Sequence, residues 1–156
     1  MTEINCYISV VKSDAVFDEV YTSCGIVLQS GQHRKTYAKV TPGVSLQVGL
    51  LEGVATALGM IQHPHRPVQL YTSMSYLYHA LTKGYLEEWA QQQWLTKQNK
   101  PVKNQKEWRD LRHELKRFDD VRCRLISGKS QAFNARYSKY LAKQALYTQV
   151  PFEGEL

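Results

Sequence analysis

The chain has little that would tie it to a membrane, an oxidising compartment or a bound metal. No apolar run approaches the roughly 20 residues of a helical span, and the N-terminus shows no basic stretch followed by a hydrophobic one. The expectation is a cytoplasmic protein with no membrane contact. Cysteine is scarce: Cys6, Cys24 and Cys123 are odd in number, widely spread and outside any zinc-type spacing, so they read as reduced thiols. His63-Pro64-His65 has no cysteine or acidic partner at a ligand spacing. Gly128-Lys129-Ser130 ends like a phosphate-binding loop, but the glycine that motif needs five residues earlier is Cys123. No serine or cysteine carries a nucleophile signature. Neither a cofactor nor a metal is expected.

Acidic residues are also in the minority. The net charge is +6, and it is uneven. Fifteen basic and seven acidic residues lie between Lys83 and Lys143, against five and seven in the remainder. A basic C-terminal half suits a polyanionic partner, because phosphate contacts release counterions. A solvated basic surface explains the charge equally well. With 43% hydrophobic and 22% charged residues in 156, the composition is that of one globular domain, expected over 1–150 with a tail at 151–156.

In order, Ile4–Val11 is apolar and β-branched and predicts a buried strand. Tyr21–Gln29 and Lys35–Val40 predict two more, joined by short loops into an antiparallel meander. Ser45 caps a predicted helix with Val48, Leu51, Val54, Ala55 and Leu58 at helical spacing. Val68–Tyr71 predicts a fourth strand, followed by a helix from near Met74. Val121–Ile126 predicts a fifth, and Asn134–Leu146 a final helix. This order predicts an α/β fold: a five-stranded mixed sheet, strands 1-2-3 antiparallel and the other two parallel, flanked by helices.

The most informative stretch is Tyr85–Trp108, which holds all three tryptophans, Pro101 and four lysines. Tyr85 and Trp89, four apart, share a helical face. Pro101 breaks the helix, and Asn104 is placed to cap the next one, which carries Trp108 inward. On residue type alone this is a helical hairpin with core tryptophans. The run Lys100-Pro101-Val102-Lys103-Asn104 with Trp108 resembles the basic handle of type 1 ribonuclease H, the family that cuts the RNA strand of RNA–DNA hybrids. Lys35-Thr36-Tyr37, the first helix, Thr72–Tyr76 and Asn134-Ala135-Arg136 extend the resemblance over roughly 4–146. It implies a ribonuclease H-like fold.

The resemblance also implies four carboxylates holding two Mg²⁺ ions. The matching positions here are Ser9 (within Ser9-Val10-Val11), Leu50, Ser73 and Ser138. Glu52 lies about 200° around the helix from Leu50 and points elsewhere. Asp14, Asp18 and Glu19 could in principle relocate a site to the first hairpin. The expectation drawn is a degenerate, non-enzymatic member of the family. Two functions then compete. One is nucleic-acid binding, to duplex DNA, RNA or hybrid, by Lys97, Lys100, Lys103, Lys106, Arg109, Arg112 and Lys129. The other is a protein–protein adaptor using the altered face around Leu50, Val10 and Met74, with a protein partner the sequence does not identify.

Overall fold

Strand β1 (Ile4–Lys12) alternates buried Ile4, Cys6 and Ile8 with half-buried Asn5, Tyr7 and Ser9, the period-two pattern of a strand with two different faces. The computed structural model describes residues 2–14 and 19–149; Asp18 and the expected tail at 151–156 lie outside them. β2 (Tyr21–Ser30) and β3 (His33–Pro42) complete the meander, and β4 (Val68–Thr72) and β5 (Val121–Leu125) lie parallel to β1, in the order β3-β2-β1-β4-β5. The expected topology is the observed one. β3 is longer than its apolar pattern because its polar ends pair with β2 from Ser30↔His33 to Tyr21↔Pro42. It is an edge strand, and its exposed lysines and arginine suit an edge.

β2 is buried along most of its length because helices cover both sides. On one side, α1 (Leu46–Gly59) brings its backbone against the Cys24 side chain at Gly53. On the other, α5 (Phe133–Gln149) crosses at the neighbouring Gly25. A Cβ on Gly25 would sit 2.0 Å from the Ser138 carbonyl oxygen and 2.7 Å from the Ala142 nitrogen. A side chain there would hold α5 off the sheet.

The larger core lies on the α1 side. Leu50, Leu51, Val54 and Leu58 of α1 pack with Trp108 and Leu111 of α4 (Gln105–Leu115), all without exposed surface. Each such side chain contributes about 1.5–3 kcal/mol on burial. Ser45 caps α1 as expected, its Oγ accepting from the Val48 N–H at 3.1 Å. Between β4 and α4 run α2 (Ser75–Thr82) and α3 (Tyr85–Gln91). Among the described residues no helix is long and apolar enough to cross a membrane.

Candidate functional site

After α3 the chain does not dissolve into a loose loop. The Trp94 N–H donates to the Trp89 carbonyl at 2.7 Å and the Val102 N–H to the Trp94 carbonyl at 3.0 Å. The Thr96 N–H reaches the Lys100 carbonyl at 2.7 Å, and Leu95 and Pro101 form an antiparallel bridge. Gln93, Trp94, Asn99 and Asn104 all take left-handed backbone angles, a geometry that asparagine tolerates and that is costly for Gln93 and Trp94. The segment is therefore held against its own preferences by this network and by buried Val102 and Trp108.

Asn104 corrects one expectation. Its side chain does not cap α4, because its left-handed backbone turns it away from the helix N–H groups. Instead Asn104 Nδ2 donates to the Tyr76 hydroxyl at 3.1 Å, and Trp108 Nε1 donates to the same oxygen at 2.9 Å. A phenol oxygen has room for two such donors. Tyr76 thus ties the root of the handle to α2, a role with no sequence signal, since a tyrosine on an amphipathic helix looks like ordinary core. Trp89 is only half-buried and packs edge-on against Trp108, centroids 5.4 Å apart.

This frame presents Lys97, Lys100, Lys103, Lys106 and Arg109 to solvent. Lys97, Lys100 and Lys103 make no side-chain hydrogen bond or ion pair among the described residues. Lys106 pairs with Asp110 one turn on, at 3.0 Å, both largely exposed. The Arg109 guanidinium lies over the Trp94 ring, 5.8 Å from its centroid. Arg112 is a correction. Its guanidinium grips Glu87 with two bonds of 3.0 Å, tying α4 to α3. Those hydrogen bonds from Arg112, against some burial, hold the Glu87 carboxyl below its usual range. Arg112 is committed to the fold and is not a free phosphate contact.

Lys129 lies elsewhere. It joins a cavity of about 620 Å³ at the ends of β1 and β4, lined also by the loop after β5 and the first turns of α5. Ser9, Ser73 and Ser138 line the same cavity, as the resemblance implies. The close approach at Gly25 brings Ser138 to β1, where its Oγ lies 2.7 Å from Ser9 Oγ. The Ser138 hydroxyl donates to the Ala135 carbonyl at 2.9 Å, so Ser9 is the donor between the two. Leu50 is not on this wall. It has no exposed surface and belongs to the core, so it cannot be the centre of a docking face as the adaptor reading requires.

A pair of divalent cations needs charged oxygen ligands. The cavity is lined by serines, tyrosines and the cations Lys129, Arg136, Lys139 and Lys143, with no carboxylate among the described residues. Among the described residues no group of three or more His, Cys, Asp or Glu could hold a metal ion. These residues do not fit the metal pair implied by the resemblance. Arg136, Lys139 and Lys143 went unrecognised as site residues. Their helical spacing was visible, yet only the position of α5 shows what that face overlooks. Tyr7 and Tyr71, opposite one another in the β1–β4 register, stack with centroids 4.3 Å apart on the cavity wall. Burial, and secondarily Tyr71, pushes the Tyr7 hydroxyl above its usual range.

Other candidates resolve into structure. His65 pairs with Asp119 at 2.8 Å, and Asp120 lies 3.4 Å from Arg122. All three cysteines are free. Burial pushes Cys6 upward, and Cys24 and Cys123 up to about 12, the behaviour of inert packed thiols.

Comparison with known proteins puts this geometry in context. The RNase H family model matches residues 17–146. A Ribonuclease H of Clostridium botulinum is 29% identical over 122 residues, 78% of this chain and 80% of its own. Among solved structures, LC9-RNase H1, a type 1 RNase H with the type 2 active-site motif, superposes with a TM-score of 0.80. The match covers 96% of this chain and 74% of that one at 18% identity. The foamy viral protease-reverse transcriptase in complex with an RNA/DNA hybrid superposes with a TM-score of 0.70 at 16% identity, covering 94% of this chain and 20% of that one. These likenesses overturn one expectation. Four replaced carboxylates suggested a protein that is not an enzyme, whereas relatives named Ribonuclease H point to one.

Proposed function

Because the chain belongs to the ribonuclease H family, we propose that it grips nucleic acid, RNA–DNA hybrid foremost, with its handle. Lys97, Lys100 and Lys103 make the principal contacts, with Lys106 and Arg109 beside them. The observation that carries this reading is the handle's construction. Three unpaired, exposed lysines stand on a backbone held rigid by Tyr76, Trp94 and Trp108. A backbone already ordered spares the cost of ordering the loop when its lysines meet phosphates. Arg112 takes no part, and Lys129 belongs to the cavity. A cytoplasmic place of action is part of the same reading. The hybrid seen with a structural neighbour supports that choice of ligand.

The test is a titration of hybrid, duplex DNA and single strands, all with hydroxyl ends, at several salt concentrations without divalent metal. Wild type is expected to bind hybrid with a steep slope of log K against log salt. Each lost phosphate contact flattens that slope by about 0.9 on duplex DNA, so replacing Lys97, Lys100 and Lys103 with alanine removes nearly 3 units. Flat binding curves for wild type at about 50 mM salt sink the proposal. Adding Mg²⁺ or Mn²⁺ afterwards to labelled hybrid reads cutting separately from binding.

A further inference from the structure

The cavity at the ends of β1 and β4 has a surplus of donors and of positive charge that nothing among the described residues answers. Lys129, Arg136, Lys139 and Lys143 line it, and among the described residues no aspartate or glutamate does. Among the described residues none of the four pairs with a carboxylate. Among the described residues the Lys139 ammonium has only the Gly128 carbonyl, at 3.5 Å. Like charges gathered on one wall repel one another, and an anion between them relieves that cost.

The hydroxyls tell the same story. Ser127 Oγ accepts from the Lys129 N–H at 3.1 Å and Ser130 Oγ from the Ala132 N–H at 3.3 Å. Both use a lone pair in their turn, and the proton of each has no acceptor among the described residues. Ser73 lines the cavity and makes no side-chain hydrogen bond among the described residues. Ser9 and Ser138 differ, since both their protons are already engaged, from Ser9 to Ser138 and from Ser138 to the Ala135 carbonyl. Three free hydroxyl donors and four cations therefore face a volume of about 620 Å³, within the usual range for a small-molecule site.

We propose that this cavity is a metal-independent binding site for a phosphomonoester, the terminal phosphate of a mononucleotide or of a nucleic-acid strand. A monoester near neutral pH carries up to two negative charges and three terminal oxygens. It answers this donor set better than an internal diester, with one charge and two free oxygens. Arg136, Lys129, Lys139 and Lys143 supply charge-assisted bonds, and Ser73, Ser127 and Ser130 supply neutral ones. The site shares no residue with the handle lysines, so either reading can fail alone.

The experiment is calorimetry on the whole chain, in EDTA and at low salt. The probes are inorganic phosphate, adenosine 5′-monophosphate, adenosine, and a short single strand with a 5′-phosphate or a 5′-hydroxyl. The monophosphate is expected to bind at least about tenfold more tightly than adenosine, since charge-assisted bonds are the strong ones. Arg136→Ala with Lys139→Ala lowers that affinity about tenfold or more, and so does Lys129→Gln with Lys143→Gln. Lys35→Ala with Lys39→Ala removes the same charge from β3, outside this cavity, and leaves it within about twofold. Preference for the phosphorylated strand identifies a strand end as the ligand, and preference for the monophosphate a free nucleotide. Equal binding of adenosine and its monophosphate overturns the proposal. So does phosphate binding lost in EDTA, or lowered as much by the β3 pair as by the cavity pairs.

Discussion

Replacing Gly25 with alanine adds one methyl group to the middle of β2, and the structure leaves that methyl nowhere to go. It would meet the Ser138 carbonyl oxygen at 2.0 Å and the Ala142 nitrogen at 2.7 Å. Both are backbone atoms of α5, so no side chain can rotate away. Restoring an ordinary C···O contact of about 3.3 Å requires α5 to retreat by roughly 1.3 Å. A gap of 0.5–1 Å already forfeits about a quarter to a half of the dispersion attraction across a packed face. Buried Ala142 and Ser138 lie on that face. Overpacking of this kind costs about 1–3 kcal/mol, occasionally more, and the upper end applies because the neighbours are backbone. Gly59 is the control: at the end of α1, without positive φ, its added Cβ meets nothing within 4 Å. Gly59→Ala should be neutral or stabilise by up to about 1 kcal/mol. Urea unfolding followed by tryptophan fluorescence reads both variants. A Gly25→Ala midpoint at or above that of wild type refutes the account of how α5 reaches the sheet. The same retreat would carry Arg136, Lys139 and Lys143 of α5 away from the sheet end of the cavity, so phosphate binding there should weaken with stability.

Two further outcomes probe the handle. Tyr76→Phe removes the shared acceptor of Asn104 and Trp108, leaving a buried indole N–H without a partner; a loss of about 1–3 kcal/mol is expected, and an unchanged urea midpoint would deny Tyr76 its anchoring role. Glu87→Gln tests the tie from α3 to α4 through its pH dependence. The folded carboxyl lies below its unfolded value, chiefly through hydrogen bonds from Arg112, so its contribution is complete above the unfolded pKa and disappears as pH falls through the folded one. With Glu87 more than half exposed, the difference between wild type and variant near neutrality should be at most about 1 kcal/mol. It should close in the acid range; a difference independent of pH would show that the ion pair is not its source.

Comparing the readings shows where sequence patterns lose their force. Element order was legible because each element carries a local signal: the apolar, β-branched run Ile4–Val11, helical spacing from Val48 to Leu58, proline at 101. The handle was legible through an unbroken run of residues, Lys100 to Asn104. Roles that depend on partners were not. Arg112 and Arg109 look equivalent in the sequence, three apart on one helix, yet only Arg112 meets Glu87, twenty-five residues away. Asn104 looks like a cap, and its left-handed backbone turns its amide to Tyr76 instead.

By itself, then, the sequence determined the order of strands and helices, the basic character of the second half and the residues standing at Ser9, Leu50, Ser73 and Ser138. Only the tertiary structure decided that Leu50 is core, apart from the wall that the three serines share as the resemblance implies. Nor could the sequence show that Arg136, Lys139 and Lys143 overlook the same cavity as Lys129. The physical reason is range. Backbone preference and hydrophobic period act over a few neighbouring residues, and survive in the linear text. The charge and hydrogen-bonding of a site arise between groups brought together by chain closure, here by α5 settling onto β2 across a single glycine.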